Sequence, residues 1–221
     1  MGLLKLISHQ QQIKWHPRQE CYLVSLSLNI LLKIVPASTE EFIEDGGPST
    51  VLQLLSNSRD KVYHYSHDIM LRSIELLALL SHKFTTIRDS VAFNGGVNCV
   101  LGLCEDVLES HFLQEQQQHL LSAGIFLLEK VCNHINALEV LPMIIKYMNR
   151  YIEPDEKDQL QIPKVIILCL SFIWNQIACC EDNAAKFVKM GGVYLILDVV
   201  KERNLVSEYL KSYVNQQVVN F

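Results

Sequence analysis

Phe187-Val188-Lys189-Met190-Gly191-Gly192 closes one short apolar segment and opens another, and the pattern recurs as Phe42-Ile43-Glu44-Asp45-Gly46-Gly47 and Val91-Ala92-Phe93-Asn94-Gly95-Gly96. The second doublet follows the first by 49 residues and the third follows the second by 96, one and two lengths of a repeat of about 48. A single Gly-Gly says little. Recurrence at a fixed period marks stacked helical units, none of which buries its apolar face alone. Glycine accepts left-handed or crowded backbone at little steric cost, so each doublet is read as a corner between two helices. A missing doublet falls near 143, where Leu138-Glu139-Val140-Leu141-Pro142-Met143-Ile144-Ile145 carries the apolar helix with Pro in place of Gly. A fourth unit is therefore expected there.

Upstream of the corners, apolar residues at helical spacing predict longer helices over 20–35, 69–80, 117–132 and 163–178, the last with Pro163 suited to a first turn that has no use for its missing N–H. Downstream, 97–108 and 193–200 read as helices of medium length. The stretches 56–61, 109–111 and 151–158 are polar linkers of ordinary or slightly long length. Each unit thus reads as a long helix, a short helix, a corner and a medium helix, with units at roughly 1–57, 58–110, 111–158 and 159–221 in a single domain.

Composition agrees with an all-α core. Hydrophobic residues make up 49% and charged residues 19%, while Gly and Pro number only 9 and 6, which argues against both disorder and a β-sandwich. A net charge of −5 with no dense basic run disfavours nucleic acid as a partner. Seven cysteines, four of them (Cys21, Cys99, Cys132, Cys169) in apolar helical runs, make no secreted disulfide framework and point to a reducing compartment, the cytoplasm. The start, Met1-Gly2-Leu3-Leu4-Lys5-Leu6-Ile7, turns polar at Ser8 too soon for a signal peptide, and Gly2 lacks the Ser or Thr at position 6 that myristoylation favours. The longest strongly apolar run, Val165 to Ile173, is about half of the ~20 residues of a bilayer span, so no membrane insertion is expected.

These residues resemble the armadillo-repeat family, whose unit has a short helix ending in Gly, an apolar second helix and a longer third helix. The nearest passage runs from Ile177-Ala178-Cys179-Cys180-Glu181-Asp182-Asn183 through Phe187 to Gly191-Gly192-Val193. The resemblance implies an armadillo-like α-solenoid, a right-handed superhelix of about four stacked repeats. Ser171-Phe172-Ile173-Trp174, Cys179-Cys180 and Tyr194-Leu195-Ile196-Leu197-Asp198 are similar in pattern to axonemal members of the family, which implies a place in the cilium or flagellum. Importin-type members carry Trp and Asn four residues apart on successive groove helices. Here Trp174 and Asn175 are adjacent and the other long helices have no Trp, which disfavours a nuclear-import receptor.

Few residues carry chemistry. His64 and His67, with Asp68 beside them, could form part of a metal site on one helical face, yet no Cys pair or second His pair supports them, and a polar helix start is the better account. Adjacent Cys179 and Cys180 rarely form a relaxed disulfide and lack a nearby Lys or Arg to favour the thiolate. Trp15 and Trp174, with Phe172 and Phe187, are expected in core or inter-repeat packing. No activated nucleophile or phosphate loop is present, so no enzyme, cofactor or small-molecule substrate is expected.

What remains is a surface for other proteins. In such stacks the long helices line the concave side. The polar residues that interrupt them are the candidate contacts: Asn29 and Lys33, Arg72 and Glu75, Glu129 and Lys130, and Ser171 and Asn175. The function expected is a non-enzymatic interaction scaffold, with a soluble adaptor holding an extended peptide in its groove as the alternative and a metal enzyme using His64 and His67 as the contrasting class. The apolar start (Leu3, Leu4, Leu6, Ile7) and end (Val218, Val219, Phe221) predict self-association of the chain made alone.

Overall fold

The computed structural model describes residues 2–7, 16–59, 67–110, 113–133, 135–153 and 163–203, and among them every regular element is helical, with no strand. The chain runs through α1 (Gly2–Ile7), α2 (Pro17–Ile34), a 3₁₀ turn (Val35–Ala37), α3 (Thr39–Glu44), α4 (Gly47–Arg59), α5 (His67–Lys83) and α6 (Thr85–Phe93). It continues through α7 (Gly96–Leu108), α8 (Glu115–Val131), α9 (Ala137–Ile152), α10 (Pro163–Phe172), a π-helical turn (Ile173–Ala178), α11 (Glu181–Lys189) and α12 (Gly192–Arg203). Caps fix several starts. Pro17 opens α2 behind His16, whose ring accepts from the Arg18 N–H, and Gln114 and Gln117 form a capping box on α8.

The doublets sit at corners, and their two glycines do different work. Gly46, Gly95 and Gly191 adopt left-handed backbone, with φ of 72°, 79° and 78°, in open space. Gly47, Gly96 and Gly192 open the next helix against the short helix they have just left. A Cβ there would overlap the Phe42 ring, the Val91 side chain and carbonyl, and the Phe187 ring respectively. The first position needs a conformation and the second needs room.

The helices that open after the corners, α4, α7 and α12, begin at Gly47, Gly96 and Gly192, 49 and 96 residues apart, and the long helices are α2, α5, α8 and α10. They pack in order, α2 on α5, α5 on α8, α8 on α10, while α4, α7, α9 and α12 pack in order behind them. One continuous core lies between, with Leu28, Leu55, Leu77, Leu103, Leu128, Ile144 and Phe172 all buried. Phe84 before α6 and Cys180 before α11 repeat the same extended backbone, at φ/ψ of −122°/117° and −120°/119°, which shows the period at the level of single dihedrals.

Three expectations are corrected. Pro142 makes no corner: it lies inside α9, six residues in, and the chain turns earlier, ahead of α9, where the Asn133 side chain accepts the backbone N–H groups of Ile135 and Asn136 at 3.0 and 2.9 Å. An Asx turn replaces the doublet, and among the described residues no short helix separates α8 from α9. The last long helix is not uniformly α, since Ile173–Ala178 widens to a π turn. Trp174 is not packed inside. Phe172 and Phe187 are buried, but Trp174, on the π turn, is 69% exposed. Trp15, His64 and Val218 to Phe221 lie outside the described residues.

Candidate interaction surface

The eight polar residues proposed along the long helices fall into three groups. Asn29 is half-buried and Lys33 exposed on α2. On α5, the Arg72 guanidinium bonds to Glu75 at 2.9 Å and reaches Asp68 at 3.5 Å, while Asp68 accepts the hydroxyl of Ser25 on α2. The third group is a junction rather than a surface. Glu129 is only 5% exposed and accepts from Lys130 Nζ and Asn175 Nδ2, each at 2.9 Å, while Asn175 also reaches the Ser171 hydroxyl at 3.3 Å and Gln176 donates to the Glu129 carbonyl at 2.8 Å. The Glu129 carboxylate therefore turns inward and ties α8 to the π turn, which spacing along one helix could not reveal.

Junction bonds of this kind recur. Ser25 to Asp68, Arg59 to Asp106, His67 to the Gln116 carbonyl, Arg150 to the Leu108 and Ser110 carbonyls, and Asn175 to Glu129 each join residues 40 to 49 apart in sequence. Each bridges one repeat length. His67 is thus engaged between helices through Nε2 at 2.7 Å, and among the described residues no group of three His, Cys, Asp or Glu could hold a metal ion.

Between α5, α8 and α10 lies a groove of about 390 Å³ that sequence spacing did not identify. It is lined by apolar Ala78, Leu79, Ala123, Phe126 and Leu168 and buried Ser122, with the more exposed Glu75, His119 and Lys164 beside them. Phe126 is held by Lys130, whose ammonium sits 5.1 Å from the ring centroid, and by the His82 ring at 5.9 Å. An apolar lining with charged residues beside it suits a side chain delivered by another protein.

Arg59 crosses α7 at Gly102, where an added methyl would overlap its guanidinium, to reach Asp106 at 3.0 Å. The obstacle is a mobile, part-exposed side chain, so two modest effects oppose each other. Ala gains about 1 kcal/mol of helix propensity over Gly, and the displaced surface pair is worth about 0–1 kcal/mol. Gly102→Ala is expected to leave stability within about 1 kcal/mol of wild type by urea titration. A large loss would give Arg59 more weight than its exposure allows.

No disulfide joins the seven cysteines. Burial, and then Glu105, pushes the Cys104 thiol up to about 12; burial, and then Glu139, does the same for Cys132. Cys169 is raised as well, by burial and then by the nearby Cys104. A thiol reagent at pH 8 should label exposed Cys179 promptly and these three only on unfolding, as mapped by peptide mass spectrometry. A raised thiol pKa favours the folded state below the ordinary value of 9.0, and that contribution is lost as pH climbs from about 9 towards 12, so alkaline destabilisation is expected in that window.

The continuous helical stretch Pro17–Ala37 is, at 21 residues and a mean hydropathy of 1.4, long and apolar enough to cross a bilayer, which the run-length criterion missed. Core helices pass the same test, and Val24, Leu28 and Leu31 of α2 are buried in this core. Its other side is not: Tyr22, Leu26, Ile30 and Ile34 are exposed. Comparison of the chain with protein-family models, curated proteins and solved structures finds no match, so the surface is defined by its own geometry alone.

Proposed function

We propose that the protein is a non-enzymatic scaffold for other proteins, built as an armadillo-like right-handed solenoid of about four units whose long helices α2, α5, α8 and α10 present the binding ridge. The observation that carries this is the spacing of the helix starts at Gly47, Gly96 and Gly192, 49 and 96 residues apart, together with junction bonds that each span 40 to 49 residues. Stacked units of this kind offer an extended face to partners. On the sequence likeness to axonemal armadillo-type proteins, the partners belong to the cilium or flagellum. Proximity labelling in ciliated cells tests both parts. Enrichment of axonemal proteins, reduced by Lys33→Ala with Lys164→Glu, is the expected result, and a profile unchanged by those substitutions would remove the ridge from the account.

A second reading, a soluble cytoplasmic adaptor that holds an extended peptide, is favoured by the groove around Phe126. Phe126→Ala would then abolish binding of one defined partner and leave the rest of the labelling profile intact.

A further inference from the structure

Counting from the second glycine of each doublet aligns the three helices that open there. The first position after it is Pro48 on α4, Val97 on α7 and Val193 on α12; the fourth is Val51, Val100 and Ile196; the eighth is Leu55, Cys104 and Val200. On α4 and α7 all six side chains are buried. On α12 Val193 is 45% exposed and Ile196 and Val200 are half-buried, although Leu195 and Val199 on the adjoining side are sealed in the core. One side of α12 is thus packed as in the earlier units, and the other lacks the cover that they have.

In the earlier units that cover is the next long helix. α5 follows α4 and packs on it, and α8 follows α7 and packs on it. A Cβ added at Gly124 of α8 would meet Cys104 Sγ at 2.6 Å and Val100 Cγ1 at 3.5 Å, so the side of α7 that corresponds to Ile196 and Val200 lies directly under α8. Positions 22, 26 and 29 after the doublet carry the packed side of each covering helix: Ile69, Ser73 and Leu76 on α5, and Gln118, Ser122 and Ile125 on α8, all buried. At the same counts after Gly192 the sequence has Val214, Val218 and Phe221, which lie outside the described residues. All three are apolar, and their i, i+4, i+7 spacing is that of one helical face.

We propose that the chain's own segment 211–221 seats on this side of α12, as α5 seats on α4 and α8 on α7. Val214, Val218 and Phe221 turn inward, and Asn220, the counterpart of Gly124, stands over Ile196 and Val200. Burial of these apolar side chains against the half-covered face drives the contact. The segment follows α12 in the same chain, so its effective concentration at this face exceeds that of a free partner or a second copy. It rests on the doublet register and on no partner of the ridge.

Hydrogen exchange of the full chain, read by mass spectrometry over α12, tests this. Val214→Asp with Val218→Asp should speed exchange of the amides at 195–200 several-fold and leave α5 and α8 unchanged. Val200→Lys should speed it too, and Asn220→Asp in the same chain should restore part of the protection, because the two positions correspond to the adjoining Cys104 and Gly124. That pair keeps the test open if the double variant perturbs folding. Wild type and Val214→Asp/Val218→Asp chains that exchange alike overturn the proposal, as does a Val200→Lys chain that matches wild type or that Asn220→Asp fails to rescue. Protection that grows with protein concentration would overturn it too, and assign the seat to the segment of another copy.

Discussion

Gly96→Ala should destabilise the protein more than Gly95→Ala, although the two glycines are neighbours in one corner. At Gly95 the surroundings are open, so an added methyl meets only the cost of left-handed backbone, about 1–2 kcal/mol. At Gly96 the methyl would sit 2.6 Å from the Val91 carbonyl oxygen, a backbone atom that cannot move without opening the end of α6. Overpacking of that kind costs about 1–3 kcal/mol, and an unyielding neighbour puts it at the upper end. Gly95→Asn should be milder than Gly95→Ala, because Asn tolerates the left-handed region. Thermal melts resolve the order, since about 1 kcal/mol moves the midpoint of a chain this long by roughly 2–4 °C. Equal shifts for Gly95→Ala and Gly96→Ala would mean that the corner does not divide conformation and room as described.

Removing the carboxylate of Glu129 should be comparably costly, through a different cause. Its side chain is nearly sealed from water, and one oxygen accepts from both Lys130 and Asn175. Glu129→Ala leaves an ammonium and an amide without that acceptor at the joint between α8 and the π turn. Hydrogen bonds to a charged group contribute about 1.5–3 kcal/mol, and Lys130 retains some access to water, so a loss of about 2–3 kcal/mol is expected rather than the ~3–5 of a fully sealed pair. Glu129→Gln keeps an acceptor for Asn175 and should lose about half as much. Urea titration monitored through Trp174, which lies on the π turn beside Asn175, reads the loss at that junction. If Glu129→Ala were neutral, the residue would belong to the surface after all.

Glu129 also shows where linear pattern stopped being informative. Along α8 it is a polar interruption in an apolar helix, the same in kind as Arg72 on α5. Arg72 stays at the half-exposed edge and pairs locally with Glu75, whereas Glu129 meets Asn175 from 46 residues away. Helix periodicity states which residues share a face, but the neighbour that covers the face arrives from the next unit. The run of apolar residues in α2 is ambiguous for the same reason: Val24, Leu28 and Leu31 enter the core, while Tyr22, Leu26, Ile30 and Ile34 stay outside.

The sequence by itself determined the features whose causes are local. Apolar spacing set the all-helical class and the positions of α2, α5, α8 and α10, and the Gly46, Gly95 and Gly191 corners follow from a backbone conformation that glycine alone adopts cheaply. Only the tertiary structure decided that Asn133 turns the chain where Pro142 had been expected to, because an Asx turn is recognised by what its side chain accepts and not by spacing. It alone decided that Trp174 faces outward while Phe172, two residues earlier, is sealed in the core. A π turn changes which side of the helix each residue takes, a property of the assembled stack that no window of sequence contains.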